Sequence, residues 1–392
     1  MDAPSGATET KPELTVRSIS ALSEIEPQDW DQVANPAGEE FDPFLSWHFL
    51  QALEESGCVS EENGWIPRHL IVHDTHRQLL GAMPLYIKTH SQGEYVFDHG
   101  WAEALERAGG QYYPKLLTAI PFTPVTGRRV LSGRPDIQRA LIAAASQTSQ
   151  QWGLSSWHVN FPTREHYDSC CRAGLLGRVD RQFVWHNRGY DSYESFLGDL
   201  SSRKRKALRR ERREAQADIE IEHRSGDRLH PEHWDVFFAC YQETGSRKWG
   251  MPYLNREFFD LIHQRMSDRI VLVLAKYEGR YIAAALNFVG SDALYGRYWG
   301  RLDDRPHLHF ELCYHQAIDI AIERGLARVE AGAQGEHKLA RGYRPVPVHS
   351  AHWLVDKGFR DAVDRYLMEE RQAVEHDIAS LDAENPYKAV TK

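Results

Sequence analysis

The chain has 392 residues, 42% hydrophobic and 11% aromatic, which exceeds the roughly 250 to 300 at which a single core stops growing, so two domains of similar size are expected. A net charge of −9 argues against a general nucleic-acid coat, and no apolar run approaches the roughly 18 residues of a membrane helix. The five cysteines, Cys58, Cys170, Cys171, Cys240 and Cys313, are odd in number and lack CxxC spacing, so neither a disulfide framework nor a cysteine-rich zinc site is implied.

Residues 1–13 are polar, carry no signal pattern and read as a disordered tail on a cytoplasmic protein. A first unit over 14–188 opens with a strand at Thr15 to Ile19 and helices at Gln28 to Val33 and Ser46 to Glu55. Strands follow at His69 to His73 and Leu79 to Ile87, continued by a third at Tyr95 to Trp101. A second unit over 189–392 repeats the meander with Val271 to Ala275, Tyr281 to Val289 and Ala293 to Trp299. Each meander leads into a helix ending in Gly-Leu and then a strand. In the first unit these are Ile137 to Trp152, Gly153-Leu154 and Trp157 to Phe161. In the second they are Phe310 to Arg324, Gly325-Leu326 and Val329-Glu330. The pattern is an internal duplication of an α/β unit. The first copy carries an extra segment rich in proline and aromatics, including Gln111 to Lys115 and Ile120 to Gly127, a composition suited to gripping a ligand.

Ser201 to Ala217 reads as a helix, and between 203 and 214 it holds eight Lys or Arg against two Glu. Arg203, Lys206, Arg210 and Arg213 fall on one face at three- and four-residue spacing. Such a face is either simply solvated or a contact for phosphates from a nucleotide-containing donor, a transfer RNA or an anionic membrane. Helices at Pro231 to Gly245 and Asn255 to Met266 flank Arg247 to Leu254, a candidate lid. A terminal helix from Phe359 to Leu381 carries the stripe Val363, Leu367, Val374, Ile378 and Leu381.

The richest chemistry lies at Glu330 to Tyr343, EAGAQGEHKLARGY, directly after a strand. Gly332 and Gly335 allow a sharp turn, and Glu330, Glu336, His337 and His352 are candidate bases. Lys338 and Arg341 are placed to hold an anion or a developing oxyanion. His307, His309, Glu311 and His315 lack the HExxH pattern of zinc sites, so no metal is expected, and Cys313 reads as a packed thiol. GxSxG, Walker A and GxGxxG motifs are absent in a strand-turn-helix context, which removes support for serine hydrolase, P-loop and dinucleotide folds.

The runs Phe310 to Ile318 and Gly325 to Pro345, with Gly93 to Asp98, Trp101-Ala102, Tyr112 to Lys115 and Pro121 to Pro124, resemble the FemAB-like family of peptidoglycan biosynthesis or recognition proteins in the GNAT acyltransferase superfamily. The resemblance implies an α/β fold of two GNAT units in tandem, each a mixed, mostly antiparallel sheet flanked by helices. It also implies transfer of an acyl or aminoacyl group to a small-molecule or peptide amine, with no tightly bound cofactor and with acyl-CoA or aminoacyl-tRNA as donor. The glycine-bearing pyrophosphate loop of acetyl-CoA-dependent relatives has no counterpart in Arg301 to His309. On this reading Glu336, His337, Glu330 and Lys338 carry the chemistry. Asp98, Trp101, Tyr112, Tyr113, Lys115, Phe122, Thr123, Glu311, Gln334, Arg341 and His352 line the substrate, and Arg203, Lys206, Arg210 and Arg213 meet donor phosphates. The rival expectation is a non-catalytic protein that uses the same fold to bind a cell-wall precursor or another anionic ligand. DNA contact and integral membrane contact are not expected.

Overall fold

The computed structural model describes residues 14–248, 252–332 and 335–388. Apolar runs bounded by turn residues become the strands of the first half: β1 (Thr15–Ile19), β2 (Trp65–Pro67), β3 (His69–His73), β4 (Leu79–Met83), β5 (Tyr86–Lys88), β6 (Lys115–Thr118), β7 (Ser156–Asn160) and β8 (Leu176–His186). Among them lie α1 (Pro27–Ala34), α2 (Trp47–Glu55), α3 (His99–Arg107), α4 (Pro135–Gln151) and α5 (Arg164–Arg172). Caps fix several starts: the Ser46 side chain accepts from Phe49 N at α2, and Thr163 accepts from His166 N at α5.

The second half contributes α6 (Tyr193–Asp199), α7 (Ser202–Ala215), β9 (Ile219–Arg224), α8 (Pro231–Lys248), α9 (Arg256–Met266), β10 (Ile270–Tyr277), β11 (Arg280–Val289) and β12 (Ala293–Arg301). Next, α10 (Leu308–Phe310) runs through a π turn (Glu311–His315) into α11 (Gln316–Glu323). β13 (Arg328–Glu330), β14 (Arg344–Leu354) and α12 (Lys357–Ala383) complete the chain.

Eleven strands form one sheet in the order β2-β5-β6-β7-β14-β8-β13-β12-β11-β10-β9, and β1, β3 and β4 form a smaller sheet beside it. Each half contains one parallel pair, β6 with β7 and β12 with β13, joined by a helical crossover. The other pairings of the large sheet are antiparallel. Each half then lends its last strand to the other. β14 pairs with β7, β8 pairs with β13, and the two exchanged strands pair from Arg344↔Val184 to His352↔Leu176. The architecture is therefore a tandem pair of GNAT-like units fused through exchanged strands.

Side chains alternate across a sheet, so the registers assign each group to a face. Lys115, His158, Asn160, Ser350, His352, Arg178, Gln182 and Glu330 share one face. On that face α1, α2, α8 and α9 pack a common core, in which Phe44 meets Phe288 and Tyr295 at 5.2 Å and Phe49 meets Phe258 at 5.7 Å. Each such ring contributes about 1.5–3 kcal/mol by burial. The opposite face is covered by α4 and α5 in the first half and by α6, α7 and the α10–α11 segment in the second.

Two expectations from the sequence fail. Tyr95 to Trp101 is not a strand, because Tyr95 turns at a φ of 60° and Asp98 leads into α3. The third strand is β6, so Lys115 belongs to the sheet and the inserted element is α3. The run Leu79 to Ile87 divides at Pro84, which has no N–H to give a ladder, and its two parts enter different sheets. In α12, Val363 and Leu367 are buried and Val374, Ile378 and Leu381 are half-buried. Residues 1–13 and, within the expected lid, Trp249, Gly250 and Met251 lie outside the described residues.

α8 crosses β12 at Gly300, where an added Cβ would collide with the Cys240 carbonyl. Gly300→Ala is expected to lower stability by about 1–3 kcal/mol in urea unfolding. Gly100→Ala, which meets nothing on α3, should raise it by about 0.5–1 kcal/mol.

Candidate active site

The loop after β13 is built by two left-handed glycines, Gly332 (φ 77°) and Gly335 (φ 106°), which fold the chain back into a 3-10 helix at Glu336–Arg341. Lys338, 1% exposed, turns inward and donates from Nζ to the Gly332 carbonyl at 2.7 Å. Burial lowers its pKa to about 7. His337 is exposed, its Nε2 lies 3.0 Å from the Tyr314 hydroxyl, and burial together with Arg341 moves its pKa down. Glu336 is exposed. Glu330 sits on the other face, buried, accepting from Arg328 Nε at 2.9 Å, and burial moves its pKa up. Gln334 lies outside the described residues.

The π turn at Glu311–His315 turns Glu311, Tyr314 and His315 inward together. Helix α7 is fastened to it by its inner face. Arg212 donates to Glu311 at 3.1 Å and to Asp319 at 2.5 Å, and Glu211 meets His315 at 2.8 Å and Arg341 at 2.6 Å. Arg341 also stacks on Phe310, 3.5 Å from the ring centroid. Glu311 receives Gln216 and Gln316 on the same oxygen, while its Oε2 has no partner among the described residues. Clamped in this way, α7 presents Arg203, Lys206, Arg210 and Arg213 outward, with only Arg210 engaged, by Glu214 at 2.6 Å.

A second cluster lies on the opposite face, in the first half. Lys115 Nζ donates to Ser91 at 2.7 Å, Glu94 at 2.8 Å and Asp98 at 2.5 Å, all buried. The Tyr112 hydroxyl donates to Asp98 at 2.7 Å and lies 3.3 Å from His158 Nε2. The chain continues from His158 Nδ1 to His352 Nδ1 at 2.7 Å, joining β7 to β14, and ends at Ser350. Trp101 packs edge-on against His352 at 4.8 Å, and the Tyr113 hydroxyl reaches Ser91. Burial alone would raise the Asp98 pKa, but the Lys115 ammonium outweighs it and holds the carboxyl well below the usual range.

Phe122 and Thr123 belong to neither cluster. Their loop docks on β12 at the junction of the halves, where the Phe122 carbonyl accepts from Arg297 at 2.6 Å and from Tyr298 at 2.9 Å. Asp98, Trp101, Tyr112, Tyr113, Lys115 and His352 thus come together, while Glu311, His337, Lys338 and Arg341 gather elsewhere. Between His352 and Arg344 alone β14 spans about 26 Å. Sequence reasoning missed Lys88, Ser91, Glu94, His158, Glu211, Tyr314 and Arg297. For His158 a signal existed: it follows Gly153 by five residues as Glu330 follows Gly325.

Three buried histidines are held neutral. Burial, with Lys115 nearby, pushes His158 down to about 3. Burial with His158 lowers His352, and burial with Arg129 takes His166 to about 4. An unfolded chain binds protons on these rings near pH 6.5 where the folded chain does not, so stability present above that pH is lost as it falls toward 4. At pH 5 His158 and His166 should each cost about 2 kcal/mol relative to pH 7 in urea unfolding. His166→Asn, which keeps an acceptor for Arg129 N, should flatten that slope.

Among the described residues no group of three or more His, Cys, Asp or Glu is arranged to hold a metal, and no helix is long and apolar enough to cross a membrane. Curated proteins give no match to the sequence. Solved structures share the fold at low identity. FemX matches with a TM-score of 0.54 and 12% identity over 87% of this chain and 98% of its own. L-PGS from Bacillus licheniformis matches with 0.50 and 12% over 84% and 98%. The C-terminal DUF2156 domain of a putative lysylphosphatidylglycerol synthetase from Agrobacterium fabrum matches with 0.51 and 10% over 86% and 95%. A family model described as peptidoglycan biosynthesis/recognition matches residues 21–389, spanning both halves and both clusters. The chain belongs to the FemAB-like family.

Proposed function

We propose that this chain is a cytoplasmic transferase that passes an acyl or aminoacyl group from an activated donor to an amine, with a cell-wall precursor as the acceptor class. The observation that carries this reading is the end of β12/β13 pairing at Tyr295↔Glu330. Beyond it β12 continues against β11 to Arg301, while the other chain turns away through Gly332. The sheet opens there, with His337 and Lys338 on one face and Glu330, Arg297 and Phe122 on the other. Donor and acceptor can approach the opening from opposite sides.

In this reading the amine attacks the donor carbonyl, forming a tetrahedral intermediate whose nitrogen carries an extra proton. His337 is neutral at pH 7, is oriented by Tyr314 and takes that proton. Lys338 in its ammonium form offsets the oxyanion charge, and on collapse the C–O or C–S bond to the donor breaks while His337 returns the proton to the leaving alcohol or thiol. Glu330, tied to Arg328, shapes the acceptor side, and Glu336 is free to guide the incoming cation. The outward cations of α7 meet donor phosphates. The lack of glycine in Arg301 to His309 favours aminoacyl-tRNA over acyl-CoA as the donor.

Transfer of radiolabelled aminoacyl groups from charged tRNA to amine acceptors tests the proposal. His337→Asn should lower kcat by about 100-fold or more, with Glu336→Gln retaining most activity. Replacing Arg203, Lys206, Arg210 and Arg213 by Gln should raise KM for tRNA and flatten its salt dependence. Full activity in His337→Asn would remove the histidine as base. Tight acceptor binding with no transfer from any donor would favour the binding-protein reading.

A further inference from the structure

The first-half cluster contains a lysine that the transfer chemistry leaves unused. Lys88 is opposite Lys115 in the β5/β6 register and is fully buried, yet among the described residues its Nζ makes one long hydrogen bond, to the Gln92 carbonyl at 3.4 Å. It otherwise rests on the Trp65 ring, 3.8 Å from the centroid. Around it stand Lys115 on β6 and Glu94 and Asp98 from the overlying loop, with His90 at the end of its own strand. Tyr112, Tyr113 and His158 complete the shell around Asp98 and Lys115.

The cluster does not satisfy itself. Glu94 Oε1 and Asp98 Oδ1 are buried without a partner among the described residues, although Glu94 is 4% and Asp98 3% exposed. Leaving a charged acceptor unpaired in the interior is expensive. With Lys88 neutral, one ammonium faces two carboxylates and the site is short of one positive charge. A proton on Lys88 or on Glu94, or an incoming cation, makes up the same deficit.

We infer that Lys88, Glu94, Asp98 and Lys115 form a binding site for a primary ammonium group, whose N–H donors meet Glu94 Oε1 and Asp98 Oδ1 and whose charge replaces the proton on Lys88. Burial supports the exchange by moving Lys88 down to about 7 and Glu94 up to about 7, so the site takes up protons near neutrality. The site adjoins the junction of the halves, since Phe122 N donates to the Gly93 carbonyl at 3.1 Å and the Phe122 carbonyl accepts from Arg297. The loop that carries Glu94 is thus tied through Phe122 to β12, beside the opening between β12 and β13. The acceptor class this selects is a diamine, with one amine held and the other acylated. That assignment rests on the transferase reading, but the ammonium site itself does not.

Calorimetry with n-propylammonium as the probe and n-propanol as its uncharged match, with no donor present, tests the site. The amine should bind, and the alcohol should not. Affinity should rise about tenfold for each unit by which pH is raised up to 7 and level off above it, with proton release read from buffers of different ionisation heat. Glu94→Gln should weaken binding at least tenfold, and Lys88→Met, with its competing proton gone, should bind more tightly than the natural chain at pH 6. Thermal melts of both variants check folding. No amine binding at pH 8, equal binding of the alcohol, or loss of binding in a folded Lys88→Met would overturn the inference. Amine binding in a protein that transfers nothing would uphold the site and sink only the transferase reading.

Discussion

The pairing of β8 with β14 is the constraint on which the rest of the molecule depends. Because each strand sits in the sheet of the other half, the two GNAT-like units share one hydrogen-bonded ladder and not merely a contact surface. That ladder places His158 beside His352 and Val184 beside Glu330, so the polar groups of both halves lie at fixed separations. It also lets Phe44 and Phe49, just before and in α2 near the start of the chain, pack on Phe288 of β11 and Tyr295 of β12 from its second half. A hinge between the halves would have to break main-chain bonds, which makes side-chain and loop movement the available means of admitting ligands.

Burying charge is costly unless each group is met, and the two clusters meet that cost differently. In the second half the ions are closed into pairs: Arg212 with Glu311 and Asp319, Arg341 with Glu211, Arg328 with Asp292 and Glu330. These bonds orient α7 and leave its other charges facing water. In the first half the pairing is incomplete, with Lys88 under-bonded and two carboxylate oxygens open. The difference is one of charge balance: in the second half each buried carboxylate has an arginine of its own network, even where an oxygen such as Glu311 Oε2 stays open, whereas in the first half two carboxylates share the Lys115 ammonium.

Much of the fold was legible in the sequence because it is carried by periodicity. The β10–β12 meander, the basic helix and the repeated Gly-Leu-strand signature are local patterns, and each appears where the residues place it. The exchange of β8 and β14 was not legible, since strand partners far apart in sequence leave no local mark. Tyr95 to Trp101 misled because its aromatics suit a strand, while Tyr95 turns at a φ of 60° and lies near Tyr241, Tyr253 and Tyr298 of the second half. Of the candidate residues, Tyr112 and Lys115 stand out in the aromatic- and proline-rich insert, and Asp98 comes through the family resemblance. Lys88 was passed over because an isolated lysine in a polar stretch reads as surface, and only the register of β5 on β6 shows that it is inside; Glu94 lies in the Gly93 to Asp98 run, which carried the resemblance without giving it a role.

The exchanged strand also sets an order of events during synthesis. When residue 186 has emerged from the ribosome, every strand of the first half exists, yet the place between β7 and β8 is empty. It stays empty until residues 344–354 are made, more than 150 residues later. Until then the facing edges of β7 and β8 stand open to any other extended segment nearby, the condition that invites mispairing and capture by chaperones. Completion of the N-terminal sheet is thus tied to the last part of the chain, and a truncated translation product lacking β14 is left with a recognisable, unfinished edge.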